Sequence, residues 1–175
     1  MTYREEALRT FKSTHSHEDI LLAMVGIVGE SGEIVDWFKK YRFHTKKPNR
    51  ELLLLELGDI LWYVELLSYL MKLKTDTSTM TVLPYQNGHT DIKDLLIVAL
   101  EISKEASHFT LVSLEYLEGI GSPNNAFNWT CAECAISNIK YHVQYIAEHM
   151  SSSLEEVQQM NIDKLNKRYP DPTII

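Results

Sequence analysis

Four acids stand at helical spacing inside strongly apolar sequence: Glu30 and Glu33 within DILLAMVGIVGESGEIV, Glu56 and Asp59 within ELLLLELGDILWYVELL. Helices of a soluble protein place apolar residues at such positions, because an ionised carboxylate taken out of water is costly. Several carboxylates brought near one another also repel. Either their pKa values rise or a hard divalent cation neutralises them, and oxygen-only donors suit Mg2+, with Mn2+ as a substitute. The chain must therefore fold so that two helices share a metal-binding face.

Little β-branched alternation competes with this helical pattern, and Pro and Gly fall mostly at joints, so the fold class is all-α. Helices are predicted over roughly 3 to 13, 18 to 43, 50 to 74, 91 to 118, 128 to 150 and 153 to 168. Pro48, the stretch from Pro84 to Gly88 and the cluster from Gly119 to Asn125 separate them, and Pro170 and Pro172 end the last. On the third helix Leu52, Glu56, Asp59, Tyr63, Leu66 and Leu70 alternate spacings of four and three, the seam of a packed helix. Ala23, Gly26, Glu30, Glu33, Trp37 and Lys40 repeat that arrangement on the second, where the small residues leave room for a ligand.

A weak internal repeat can be read in this order, against the alternative that two amphipathic hairpins look alike by chance. A shift of 75 positions lays the second helix over the fourth, pairing Asp19 with Asp94, Glu30 with Glu105 and Glu33 with His108. A shift of 79 lays ELGDILWYVELL over AISNIKYHVQYI, so that Glu56 meets Ala135, Asp59 meets Asn138 and Trp62 meets Tyr141. The predicted architecture is one domain over residues 1 to 175: a four-helix core of two hairpins, about 18 to 74 and 91 to 150, with short terminal helices. The second copy has lost acids, so one working metal site is expected rather than two.

At these residues the chain resembles the MazG-like all-α nucleoside triphosphate pyrophosphohydrolases of the short phage and bacterial type. The matching text is GIVGESGEIVDWFKK, then ELGDILWYVELL, then SLEEVQQMNIDKLNKRYP. It departs from the family pattern where Gly29 replaces the first of two consecutive acids. It departs again where residues from about 75 to 145 separate pieces that usually lie close in sequence. An active hairpin paired with a decayed one is similar to the dimeric-type dUTPases. The resemblance implies Mg2+-dependent hydrolysis of a nucleoside or deoxynucleoside triphosphate between its α and β phosphates, releasing monophosphate and pyrophosphate, a reaction of nucleotide-pool control.

On that reading Glu30, Glu33, Glu56 and Asp59 are metal ligands, and one of the first pair, taken as Glu33, also orients the attacking water as general base. Tyr63, one turn beyond Asp59, could give its hydroxyl to a phosphate, or be a plain buried tyrosine. Lys40, Lys164 and Arg168 are the candidate cations for the phosphate tail, with Asn161 on the face of Lys164 and Arg168. Trp37 and Trp62 are candidates to line a base pocket, against the ordinary reading of a helical Trp as core. Asp36 is read as a surface partner of Lys40 at i+4.

A net charge of -7 argues against binding a nucleic-acid polymer, which needs a Lys and Arg surplus. No stretch is apolar for long enough to cross a bilayer, and the charged start MTYREEALRT lacks a signal core, so a cytoplasmic protein is expected. Cys131 and Cys134 have the spacing of a metal or redox pair but no second pair follows. His15 and His17 precede the second helix and could contact a base. Two rivals stand beside the hydrolase: a di-iron carboxylate bundle built on Glu105-Ala-Ser-His108, which lacks a second Glu-x-x-His, and a metal-free helical interaction module. A homodimer or higher homo-oligomer is open on the hydrolase reading, since a duplicated core either removes the need for a dimer or dimerises again.

Overall fold

A computed structural model describes residues 1–14, 17–45, 47–73, 92, 94–117 and 129–170. The described chain is all-helical, in the order α1 (Tyr3–Leu8), α2 (His17–Phe43), α3 (Arg50–Leu70), α4 (Leu95–Leu117), α5 (Trp129–His149) and α6 (Leu154–Arg168). Among the described residues no helix is long and apolar enough to cross a membrane. The predicted joints from Pro84 to Gly88 and Gly119 to Asn125, as well as His15 and Pro172, lie outside the described residues.

Local chemistry sets the helix ends. Thr2 with Glu5, and Ser153 with Glu156, form capping boxes that satisfy the first backbone amides of α1 and α6. Asn49 caps α3 by accepting from the Glu51 amide. The α3 helix stops short of the predicted residue 74 because Lys72 turns left-handed (φ 54°) and the Leu73 amide bonds back to the Ser68 carbonyl at 2.9 Å. Ser151 (φ 56°) does the same after α5, where the Ser152 amide reaches the Ala147 carbonyl. The first helix ends at Leu8 rather than 13. Asp19, at the start of α2, accepts from the Thr14 amide at 2.8 Å and from the hydroxyls of Ser13 and Thr14, which holds that segment in a non-helical path.

Four helices make the core: α2 packs on both α3 and α4, α4 packs on α5, and α3 meets α5. Phe38, Met24, Ile27 and Ile34 of α2 fill its centre with Leu53, Leu57, Ile60 and Val64 of α3, Phe109 of α4 and Ile139 and Val143 of α5. Helices α1 and α6 lie together across α3, which is thereby covered on several sides. Glu65 is buried there between Arg4 of α1 (2.6 Å) and Lys140 of α5 (2.5 Å), a paired charge that joins two layers.

The predicted seam of α3 needs correction. Leu52, its first member, is 51% exposed, and the stripe that faces the core is Leu53, Leu57, Ile60, Val64 and Leu67, roughly 100° round the helix. Glu56, Asp59 and Tyr63 are half-buried along the strip between the α2 and α6 contacts. The acids therefore border the core without entering it. On α2, Ala23 and Trp37 are buried while Glu33 and Lys40 are exposed.

Candidate active site

Helix α2 contributes Glu30 and helix α3 contributes Glu56 and Asp59, each with a carboxylate oxygen within 4.8 Å of the others. Among the described residues no other group of three His, Cys, Asp or Glu side chains comes together in this way. Burial, then the charges of Asp59 and Glu56, pushes the Glu30 carboxyl up to about 7. Glu56 is also raised, by burial first and then by Asp59, while its hydrogen bond with Glu30 and the charge of Lys164 pull the other way. Burial and mutual repulsion thus favour a proton on the hydrogen-bonded Glu30–Glu56 pair.

The α6 helix supplies the counter-charge. Lys164 donates to Asp59 Oδ2, and Asn161 Nδ2 donates to Asp59 Oδ1 at 3.0 Å. Gly58 makes this reach possible. A Cβ there would stand 2.8 Å from the Asn161 Cβ and 3.3 Å from the Val157 carbonyl, so any larger residue would hold α6 away from Asp59. Asn161 is in turn oriented by the Tyr3 hydroxyl, which donates to its Oδ1 at 2.9 Å, and burial keeps that phenol protonated.

Beside the acids opens a cavity of about 340 Å³ lined by Glu30, Asp59, Tyr63, Trp62, Lys164 and Arg168, with Thr10, Phe11, Leu22, Leu165 and Tyr169. Trp62 is fixed by an indole hydrogen bond to the Ala7 carbonyl (2.9 Å) and by edge contacts with Phe11 and Tyr63. Tyr63 stands against α2 where Gly26 lacks a side chain, since a Cβ would fall 2.3 Å from its ring. The room left by that glycine is filled by Tyr63 rather than by a ligand. Burial and the nearby Glu30 and Asp59 charges raise the Tyr63 phenol. A second groove of about 550 Å³, shared through Lys164 and Arg168, runs along the other side of α6 past Met160 and Lys167.

The structure thus brings Glu30, Glu56, Asp59, Tyr63, Trp62, Asn161, Lys164 and Arg168 to one place. It does not bring Glu33, Lys40 or Trp37 there. Glu33 is exposed one turn on from Glu30 and outside the three-acid group, although its charge is felt at Glu56. Lys40 pairs with Asp36 at 2.5 Å, as the i+4 spacing predicts, and faces a different groove at the α2–α3 turn. Trp37 is a core residue, stacked on Tyr41 and donating its indole N–H to the Asn49 carbonyl at 2.7 Å, where it holds the start of α3. His17 is exposed, Cys131 and Cys134 are unbridged, and His108 is exposed while Glu105 faces Lys104 at 3.5 Å.

Sequence reasoning missed Tyr3, Phe11 and Tyr169. Tyr169 stands in the matching C-terminal text with no role assigned to it there, whereas nothing local marks Tyr3 and Phe11, whose place is set by how the N-terminal segment folds over α3. What fold and site define together is a helical bundle with a three-carboxylate cluster opening on a cavity that is part aromatic and part cationic. No family model, curated protein or solved structure matches the chain.

Proposed function

We propose that the protein is a Mg2+-dependent hydrolase that splits a nucleoside or deoxynucleoside triphosphate between its α and β phosphates, giving monophosphate and pyrophosphate. The observation that carries this reading is the convergence of Glu30, Glu56 and Asp59 at a cavity whose other walls hold Lys164, Arg168 and Trp62. Three carboxylates with no nitrogen or sulfur donor are a donor set suited to a hard dication, which would displace the proton that burial and the neighbouring acids favour on Glu30. When bound, Mg2+ would offset phosphate charge and acidify a water.

The chain's own residues divide the remaining work. Lys164 and Arg168 face the anionic tail as point charge and planar fork. Asn161 fixes the Asp59 carboxylate in one orientation through Oδ1, and Lys164 would give up its contact with Oδ2 when the metal and the phosphate tail bind. Trp62 and Phe11 form an apolar wall against which a base could lie. Glu33, exposed and outside the three-acid group, does not reach the cluster, so the water-orienting role falls to Glu30, the member of the first acid pair that faces the cavity.

The test is product identity. Purified protein incubated with each common NTP and dNTP plus Mg2+ should release pyrophosphate and monophosphate from at least one of them. Release of diphosphate and orthophosphate instead would place the cut at the wrong bridge and sink the reading.

A further inference from the structure

Gly26 and Gly58 each sit where a Cβ would collide with a neighbour, but Gly29 and Gly32, in the middle of the same α2 helix, have nothing within 4 Å of a Cβ. Glycine weakens a helix interior, and within this chain no packing accounts for these two. Both are exposed, and Gly32 belongs to an outward stripe of the helix. Glu18, Leu21, Val25, Val28, Gly32, Val35 and Lys39 follow spacings of three and four over seven layers, the period of a coiled-coil seam. Leu21, Val25 and Val28 are exposed, Val25 by 63%, and Val35 is only partly buried.

That stripe is complementary to its own reverse. Laid antiparallel on a second α2 about Val28, Glu18 meets Lys39, Leu21 meets Val35 and Val25 meets Gly32. Val25 falls opposite the side-chain-free Gly32, Leu21 packs on Val35, opposite charges meet at both ends, and the helix dipoles oppose. A parallel pairing would set Glu18 against Glu18, Lys39 against Lys39 and Gly32 against Gly32, leaving two repulsions and a gap. We propose that the outer face of α2 is a homodimer seam, with α2 of a second copy packed antiparallel across a two-fold axis at Val28. The glycine at position 32 is then the hole that receives the partner's Val25, and the terminal charges fix direction and register. Lys39 already lies beside Asp36 of its own chain, which leaves its ammonium two further donors for Glu18 of the second copy.

Sedimentation equilibrium over a range of concentrations tests this and reads mass alone, so its outcome is separate from that of the hydrolase reading. The wild type should reach twice the 20.2 kDa chain mass. Val25→Glu and Gly32→Leu, both on an open face, should be monomeric with unchanged helix content. Glu18→Lys should weaken the dimer about tenfold or more, and adding Lys39→Glu should restore it. In a Cys131→Ser/Cys134→Ser background, Val28→Cys should oxidise to an interchain disulfide. A monomer at every concentration, a dimer untouched by Val25→Glu, or a charge swap that fails to restore association would overturn the proposal.

Discussion

In the α2–α3 hairpin three carboxylates converge on a cavity, and the cation that answers them, Lys164, comes from a different helix. In the α4–α5 hairpin the positions matching Glu56, Asp59 and Tyr63 hold Ala135, Asn138 and His142, all buried, and the retained acid Glu105 has Lys104 beside it. Lys104 itself occupies the place of Gly29 at the same shift, and also pairs with Glu101. One hairpin is left with surplus negative charge at a cavity mouth. The other sets Glu105 against Lys104 on its own helix and holds no carboxylate at the three matching positions of α5. Burying charge costs stability unless it is paired, so the α4–α5 hairpin shows what the bundle needs in order to stand, and the α2–α3 hairpin shows what it carries beyond that.

Exchanging the decisive acids should separate the two hairpins most strongly. Asp59→Asn should lower pyrophosphate release by about 100-fold or more, while Asn138→Asp should leave the rate within about twofold, as measured by initial rates on the preferred nucleotide. Equal losses from both would mean that the second hairpin is not a spectator.

Acid should then pull the hairpins in opposite directions. Burial lowers His142 from 6.5 to about 4, so its contribution to stability is present above its unfolded value and is lost as pH falls through that window. The loss, about 2–3 kcal/mol, should vanish in His142→Phe when chemical denaturation is followed between those limits. A variant as acid-sensitive as the wild type would show that the stability lies elsewhere.

Close packing of α6 on the first hairpin is the next target. Gly58→Ala sets a methyl against Asn161 and the Val157 carbonyl and should cost about 1–3 kcal/mol, with the Lys164–Asp59 contact slackened. The matching position in α5 is Ser137, which already carries a Cβ, and Ser137→Ala should cost less than half as much by thermal melts. Similar costs at the two positions would show that α6 does not distinguish them.

The smallest effect is the most diagnostic of charge. Glu30 is raised from 4.5 to about 7, so the folded state binds more protons than the unfolded chain and metal-free stability falls as pH rises through that range. Allowing for screening at this half-exposed group, the fall is about 1–2 kcal/mol and should be absent in Glu30→Gln. Adding Mg2+ should restore stability at the upper end of the window and not at the lower, a readout that needs no turnover.

Much of the fold was legible because long helices advertise themselves by period, and the Ser153 cap, the Pro170 stop and the alternating apolar runs of α2 through α5 all have local causes. The end of α1 was not, since it depends on Asp19 holding Ser13 and Thr14 through bonds that no periodicity reveals. The site was legible to the same extent. Glu30, Glu56 and Asp59 could be named from their surroundings, but a residue three positions along a helix turns away by roughly 60°, which is enough to put Glu33 in water while Glu30 faces the cluster. Lys40 and Trp37 matched a motif while their side chains were settled by nearer partners, Asp36 and Asn49.

The hydrogen-bond chain from Tyr3 through Asn161 to Asp59 spans 158 positions of sequence between its first two members. During synthesis Tyr3 leaves the ribosome before any other part of the site, and Asn161 and Lys164 leave last, after both hairpins. Until then Asp59 has neither its orienting amide nor its ammonium partner. The nascent bundle can therefore pack its core early while its acid cluster stays loose, and the site becomes rigid only as the sixth helix docks, a closing step slowed by the distance it must bridge.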